Sequence, residues 1–115
     1  MNDLLTRIVE ATRGDLESEV IDWRSLHRAA RMRSELKSKY SFSAALRKSG
    51  GQANVIAEVK AASPSAGTIV ESPDVEEIAE SYRDGGAAAI SVVTEPHFFH
   101  GERRWLYRAS IASGL

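Results

Sequence analysis

Residues 54–60 form an apolar stretch that ends in two charges, and this stretch constrains the fold more than any other part of the sequence. Its run of Val, Ile and Ala is typical of a strand that is covered on both faces of a sheet. Because side chains alternate along a strand, Glu58 and Lys60 point to the same face as Ile56. A polar turn with proline and glycine follows at 63–67. We therefore predict a buried strand that leads into a polar loop.

The acid and the base at the end of this strand have two interpretations. Burying a charge destabilises a fold unless the charge is paired or serves a function. Glu58 and Lys60 could therefore form a structural ion pair where the strand emerges into solvent. Charged residues before a polar loop, at the C-terminal end of a parallel strand, are also where α/β enzymes place catalytic groups. The pair is therefore the first candidate for catalysis.

A second strand follows one helix later. Residues 72–74, Ser-Pro-Asp, predict a helix start with the serine as N-cap and the proline in the first helical position. An apolar face with helical spacing continues to Tyr82. Residues 87–94 predict a second buried strand, and a strand, a helix and a strand form a βαβ unit with parallel strands. A last amphipathic helix is predicted over 102–113.

Helical patterns dominate the chain ahead of the first strand. Helices are predicted over about 3–14, where Gly14 marks the end, over 23–39, and over 41–46. The middle helix is strongly basic, which would suit a contact with phosphate or nucleic acid. Its charges circle the helix instead of forming one patch, and this distribution favours a solvated face.

Composition narrows the function classes. Among 115 residues, 15 Lys and Arg oppose 16 Asp and Glu, which gives no electrostatic reason to expect a nucleic-acid or membrane partner. The chain has no cysteine, so disulfides, thiolate chemistry and cysteine-ligated metals are excluded. No signal peptide or membrane-spanning run is predicted. The sequence therefore predicts a cytoplasmic protein.

The segment after the second strand carries histidines and phenylalanines. His97 and His100 would need a third ligand of a suitable type, and the nearby sequence does not fix one, so no metal site is predicted. Phe98 and Phe99 are adjacent in this loop. One could plug the rim of a barrel or pack beneath a helix, and the other could wall a pocket for an aromatic substrate.

Three segments together, in this order, carry a family resemblance. The first is Glu58-Val59-Lys60 followed by Ser63-Pro64-Ser65, the second runs from Ile78 through 85–95, and the third is Phe98-Phe99 before Gly101. As a set they resemble the indole-3-glycerol phosphate synthase family, whose fold is a (β/α)8 TIM barrel. The resemblance implies an α/β fold, with residues 1–52 as an N-terminal helical extension. Residues 53–115 would then be the first two βα units of an incomplete barrel.

The resemblance also implies a carbon–carbon lyase of tryptophan biosynthesis that uses neither cofactor nor metal. The family closes the indole ring of 1-(2-carboxyphenylamino)-1-deoxyribulose 5-phosphate with loss of CO2 and water. By this resemblance Lys60 is a catalytic lysine, and Glu58 positions it and takes part in acid–base chemistry. Ser63 lines the site, and Phe99 packs against the anthranilate ring. Such a cyclisation needs oriented charge and proton transfer, which an acid beside a lysine can supply.

In this family further catalytic groups and the phosphate site lie on later strands, and a barrel of this class needs about 250 residues. We therefore expect the chain alone to be inactive. Another phosphate-binding barrel, such as phosphoribosylanthranilate isomerase, is an alternative that the helical extension and the loop 63–65 argue against. A non-catalytic fragment that binds a partner through its basic helix, or associates with itself through open sheet edges, is the other alternative.

Overall fold

The computed structural model of the chain describes residues 3–35, 41–47, 50, 51 and 53–115. The chain divides into two compact units, Met1–Lys39 and Tyr40–Leu115. The last part of the helix predicted over 23–39 lies outside the described residues. Within the described ranges, no helix has the length and apolar character that crossing a membrane requires.

Two helices make up the described part of the first unit. Helix α1 spans Leu4–Ser18 and helix α2 spans Trp23–Glu35. The side chain of Asp3 caps α1 by accepting a hydrogen bond from the backbone of its first turn at 2.8 Å. The predicted end of this helix at Gly14 is wrong, because α1 continues through it; a glycine inside a helix costs only about 1 kcal/mol. The side chains at 23–33 are all exposed, in agreement with a solvated basic helix.

The second unit contains a short helix, a parallel strand pair and two longer helices. Its elements in chain order are α3 (Phe42–Arg47), β1 (Ile56–Val59), β2 (Ala62–Ser63), β3 (Gly67–Thr68), α4 (Val75–Asp84), β4 (Ala89–Val92) and α5 (Arg104–Ser113). Strands β1 and β4 pair in parallel, and β2 and β3 form a small antiparallel hairpin. Because α4 connects β1 to β4, the predicted βαβ unit is confirmed.

The core of this unit lies on one face of the parallel pair. It consists of small side chains and one large aromatic side chain from β1, the segment between β1 and β2, α4 and α5: Val59, Ala61, Val75, Ala79, Trp105 and Ala109. Our prediction that both strands are buried is wrong. In β1 only Val59 is buried, whereas Ile56 on the opposite face is 48% exposed. The reason is that α4 and α5 cover only the Val59 face.

The start of α4 also differs from the prediction. Asp74, not Ser72, is the N-cap, and its carboxylate accepts a hydrogen bond from the amide of Glu77 at 3.1 Å. A carboxylate is favoured over a hydroxyl here because the helix dipole is positive at this end. At the end of α5, Gly114 adopts the left-handed conformation with φ 70° and caps the helix as predicted.

Candidate active site

The acid and the base of the first strand form an ion pair at its C-terminal end. Lys60 Nζ lies 3.0 Å from Glu58 Oε1, and the two side chains are 34% and 41% exposed. The second oxygen, Oε2, accepts a hydrogen bond of 3.1 Å from the hydroxyl of Ser91. Ser91 lies opposite Glu58 in the parallel register of β1 and β4, so the sheet itself brings the hydroxyl to the carboxylate.

These contacts stabilise the ionised form of Glu58. The hydrogen bond from Lys60 is the main reason that the pKa of Glu58 lies below its usual range. Partial burial opposes this shift, and the hydrogen bond from Ser91 adds to it. The arrangement therefore holds a carboxylate beside a lysine at neutral pH, with both carboxylate oxygens engaged.

The predicted substrate-binding Ser63 lies in the hairpin that follows β1. It pairs with Gly67, whose φ of 67° allows the tight turn. The Ser63 hydroxyl accepts a hydrogen bond of 3.1 Å from the amide of Ala66 and lies 3.4 Å from the hydroxyl of Ser65. This hydroxyl therefore helps to shape its own loop. A serine hydroxyl has a second lone pair with which it can also contact a ligand.

Phe99 lies in the loop that follows β4, and this loop is bonded to the hairpin. The carbonyl of Phe99 accepts a hydrogen bond of 3.1 Å from the amide of Ala62, the residue next to Ser63. The structure thus brings the backbones of the two predicted substrate-binding residues together at the end of the sheet that carries Lys60. Phe99 itself is half-buried.

A groove of about 350 Å³ runs along the edge of β1 that faces away from β4. Its lining comes from β1, α4 and the segment between them: Glu58, Val59, Lys60, Ile69, Val70, Glu77, Ile78, Ser81 and Tyr82. The hydroxyl of Tyr82 donates a hydrogen bond of 2.9 Å to the backbone carbonyl of Glu58. The groove therefore includes the predicted catalytic pair but neither Ser63 nor Phe99.

The sequence did not identify Ser91 or Tyr82 as neighbours of the pair. Ser91 lies in an apolar strand where one serine carries no signal, and only the strand register links it to Glu58. Helical spacing predicts that Tyr82 lies on the apolar face of α4, and Tyr82 does pack against the core. Its hydroxyl reaches the strand edge because a tyrosine combines an apolar ring with a polar tip.

The histidines of the second loop do not form part of a metal cluster. Among the described residues, no group of three or more His, Asp or Glu side chains could hold a metal ion. His97 and His100 are both exposed. The chemical groups at this end of the sheet are therefore an ion pair, serine hydroxyls and the phenylalanine side chains of the loop after β4.

Comparison with known proteins identifies related sequences. A family model described as Indole-3-glycerol phosphate synthase matches residues 5–114. A protein of that name from Sulfurimonas denitrificans is 43% identical over 107 residues, which cover 90% of this chain and 40% of the relative. One from Bordetella pertussis is 40% identical over an alignment of 123 residues, which covers 100% of this chain and 44% of the relative. One from Chlorobium phaeovibrioides is 46% identical over 82 residues, 71% of this chain and 32% of the relative. The chain thus spans less than half the length of each of these relatives.

Proposed function

Because the chain belongs to the indole-3-glycerol phosphate synthase family, we propose that it supplies one part of an active site that closes the indole ring in tryptophan biosynthesis. The substrate is 1-(2-carboxyphenylamino)-1-deoxyribulose 5-phosphate, which loses CO2 and water. The observation that carries this proposal is the ion pair of Lys60 and Glu58, 3.0 Å apart, at the C-terminal end of a parallel strand. Catalytic residues of α/β barrels occupy such strand ends.

In this proposal residues 53–115 are the first two βα units of a (β/α)8 barrel, and residues 1–52 are a helical extension. The parallel pairing of β1 with β4 through α4, followed by α5, supports it. So does the exposure of Ile56, because the interior of a barrel would cover the face on which Ile56 and the ion pair lie.

The ion pair suits the chemistry of the ring closure. The cyclisation needs a proton on the oxygen of the reacting carbonyl group and later the removal of a proton from carbon or nitrogen. In this proposal Lys60 attracts the substrate carboxylate and transfers a proton. Glu58 orients Lys60 through their 3.0 Å contact and takes part in the acid–base steps. Ser63 and Phe99 bind the substrate, and Phe99 packs against the anthranilate ring.

A chimaera tests this proposal. The chain is joined to the part of the Bordetella pertussis relative that lies beyond their alignment, and turnover is followed from the appearance of the indole product. We expect no turnover by the chain alone and measurable turnover by the chimaera. Lys60→Ala in the chimaera should reduce kcat by about 10²–10⁴-fold, the usual contribution of a group that transfers a proton.

Glu80→Ala is the matched control, because Glu80 is an exposed acid of α4. It should leave turnover within about twofold of the parent, since exposed substitutions away from special features have small effects. Full activity of the Lys60→Ala chimaera would contradict the catalytic role of Lys60. Turnover by the chain alone would contradict the proposal that later strands are needed.

Two exposed apolar residues, Ile56 at the start of β1 and Val55 just before it, favour one alternative, in which the chain associates with itself. Val55 is 55% exposed and Ile56 is 48% exposed, and a two-stranded sheet has open edges that can pair with another copy. Sedimentation should then show concentration-dependent dimers that Ile56→Lys abolishes. Ile111→Lys is the control, since Ile111 is 68% exposed and belongs to α5, not to the sheet. A monomer at all concentrations would rule this alternative out.

A further inference from the structure

The carboxylate of Glu95 holds three consecutive backbone amides of the loop after β4. Its Oε1 accepts a hydrogen bond from His97 N at 2.9 Å, and its Oε2 accepts hydrogen bonds from Phe98 N at 2.7 Å and Phe99 N at 3.1 Å. Hydrogen bonds to an ionised acceptor are about twice as strong as those between neutral groups. One side chain therefore fixes the orientation of the peptide groups at 97–99.

The backbone of the same loop is fixed at a second place. The amide of Gly101 donates a hydrogen bond of 2.8 Å to the carbonyl of Glu95, which closes the loop on itself. His100, just before it, has φ 53°, a left-handed conformation that costs a residue with a side chain about 1 kcal/mol or more. Such a conformation persists only where surrounding contacts impose it. The contacts made by Glu95 and Gly101 are of this kind.

Phe99 is the residue on which these contacts converge. Its amide bonds the Glu95 carboxylate at 3.1 Å and its carbonyl bonds the amide of Ala62 at 3.1 Å. With both peptide groups held, the Cα–Cβ direction of Phe99 is set, and only rotation about its side-chain bonds remains. The loop thus presents one aromatic side chain from a fixed backbone beside the hairpin that carries Ser63.

We infer that Glu95 is a positioning residue for substrate binding, which acts by holding Phe99 in the direction that receives the aromatic ring of the substrate. This inference rests on the proposed function, in which Phe99 packs against that ring. Glu95 does not contact the substrate in this role. A glutamine at this position keeps the length of the side chain but loses the charge, so that any remaining N–H bonds to it are weaker. Its NH2 group must also face at least one of the three amides, and an NH2 group cannot accept a bond from an amide N–H.

The test is a double-mutant cycle in the chimaera described above. Glu95→Gln should raise KM about tenfold and change kcat by less than about threefold, because it disturbs the binding surface and not the acid–base pair. Phe99→Ala should also raise KM. The double variant should be no worse than Phe99→Ala alone, since Glu95 acts through Phe99. Glu102→Gln, a neighbouring exposed acid, is the matched control and should leave KM unchanged.

A second measurement uses the chain without the added segment. Amide hydrogen exchange at residues 97–99 should be faster in Glu95→Gln than in the parent, while exchange in β1 should stay the same. Where Glu95→Gln does not fold, Glu95→Asp replaces it. Aspartate keeps the charge but is shorter by one methylene, so we expect a smaller rise in KM.

The outcomes separate the inference from the proposed function. If Phe99→Ala raises KM and Glu95→Gln does not, the inference is wrong and the proposed function stands. Additive effects of the two substitutions would also overturn it, because Glu95 would then act elsewhere. If Phe99→Ala leaves KM unchanged while Lys60→Ala abolishes turnover, the role of Phe99 and this inference both fail, but the reaction does not. If both Phe99→Ala and Lys60→Ala keep full activity, the proposed function itself is contradicted.

Discussion

Replacing Gly101 with alanine should destabilise the chain far more than the size of one methyl group suggests. A Cβ at this buried position would lie 2.1 Å from the carbonyl oxygen of Val93 and 2.9 Å from Cα of Thr94. Ordinary contacts between carbon and oxygen are about 3.3 Å or longer, so the backbone must open by about 1 Å. The atoms in the way are backbone atoms at the end of β4, which no side-chain rotation can move.

The expected cost follows from comparison with core overpacking. Extra methylene groups in a packed interior cost about 1–3 kcal/mol and occasionally more, and a contact with fixed backbone belongs at the upper end, about 3 kcal/mol. The unit Tyr40–Leu115 falls in the size range where 1 kcal/mol lowers Tm by about 4–8 °C. Gly101→Ala should therefore lower Tm by about 12–24 °C in thermal unfolding followed by circular dichroism.

Gly86→Ala is the matched control for this substitution. Gly86 has φ 85°, but a Cβ there would meet nothing within 4 Å. It therefore reports the cost of the left-handed conformation alone, about 1 kcal/mol, or about 4–8 °C. A shift of the loop should also break the hydrogen bond between Ala62 and Phe99, so amide exchange at Ala62 should accelerate only in Gly101→Ala. Equal losses of Tm in the two variants, with unchanged exchange at Ala62, would refute the close approach of the loop to β4.

Two further predictions concern the ion pair and the core. Lys60→Met should raise the pKa of Glu58, and Ser91→Ala should raise it less, because Lys60 makes the larger contribution. Carbon-13 NMR titration of the Glu58 carboxyl group measures the pKa in both variants. An unchanged pKa in Lys60→Met would contradict the ion pair. Since the pKa of Glu58 is lowered by folding, the pair stabilises the fold above the unfolded pKa, and this contribution is lost as pH falls through the folded pKa. Trp105→Ala, at a side chain that is 5% exposed, should cost about 3–5 kcal/mol in urea unfolding, and a loss below about 1 kcal/mol would show that Trp105 is not part of the core.

The predictions that succeeded depend on local rules. Glu58 and Lys60 are two residues apart in a strand, and strand geometry alone places their side chains on one face; the structure adds that they are in contact. The parallel pairing of β1 with β4 follows from the sequence of strand, helix and strand. Gly114 ends α5 because a left-handed residue closes a helix at little cost when it lacks a Cβ.

Contacts between segments that are distant along the chain were beyond sequence reasoning. Ser91 reaches Glu58 through a register that no property of either strand specifies by itself. Strands β2 and β3 have two residues each, too few for any periodic pattern. The bonds of Glu95 are local, yet they depend on a loop conformation that periodicity does not describe. A glutamate at a strand end before a proline is the one signal that could have drawn attention to it.

Burial was overestimated for a physical reason that bears on function. An apolar run predicts that a strand face will be covered, but it does not say by which part of the protein. In this chain α4 and α5 cover the face of Val59, whereas Ile56 on the opposite face remains half-exposed. The proposed barrel would cover that second face. In the proposed barrel, the apolar residues on this face of β1 would be explained by contacts that the described residues do not make among themselves.

The same exposure limits what the ion pair can do in the chain alone. Lys60 and Glu58 are 34% and 41% exposed, and ion pairs in such surroundings contribute only about 0–1 kcal/mol because water screens them. Covering the face of Ile56 would remove water from the pair and strengthen its field on a bound substrate. The solvent around Lys60 is therefore by itself a reason to expect no turnover by the chain alone. In the proposed barrel, the same strands that cover the face of Ile56 would therefore also exclude water from Lys60 and Glu58.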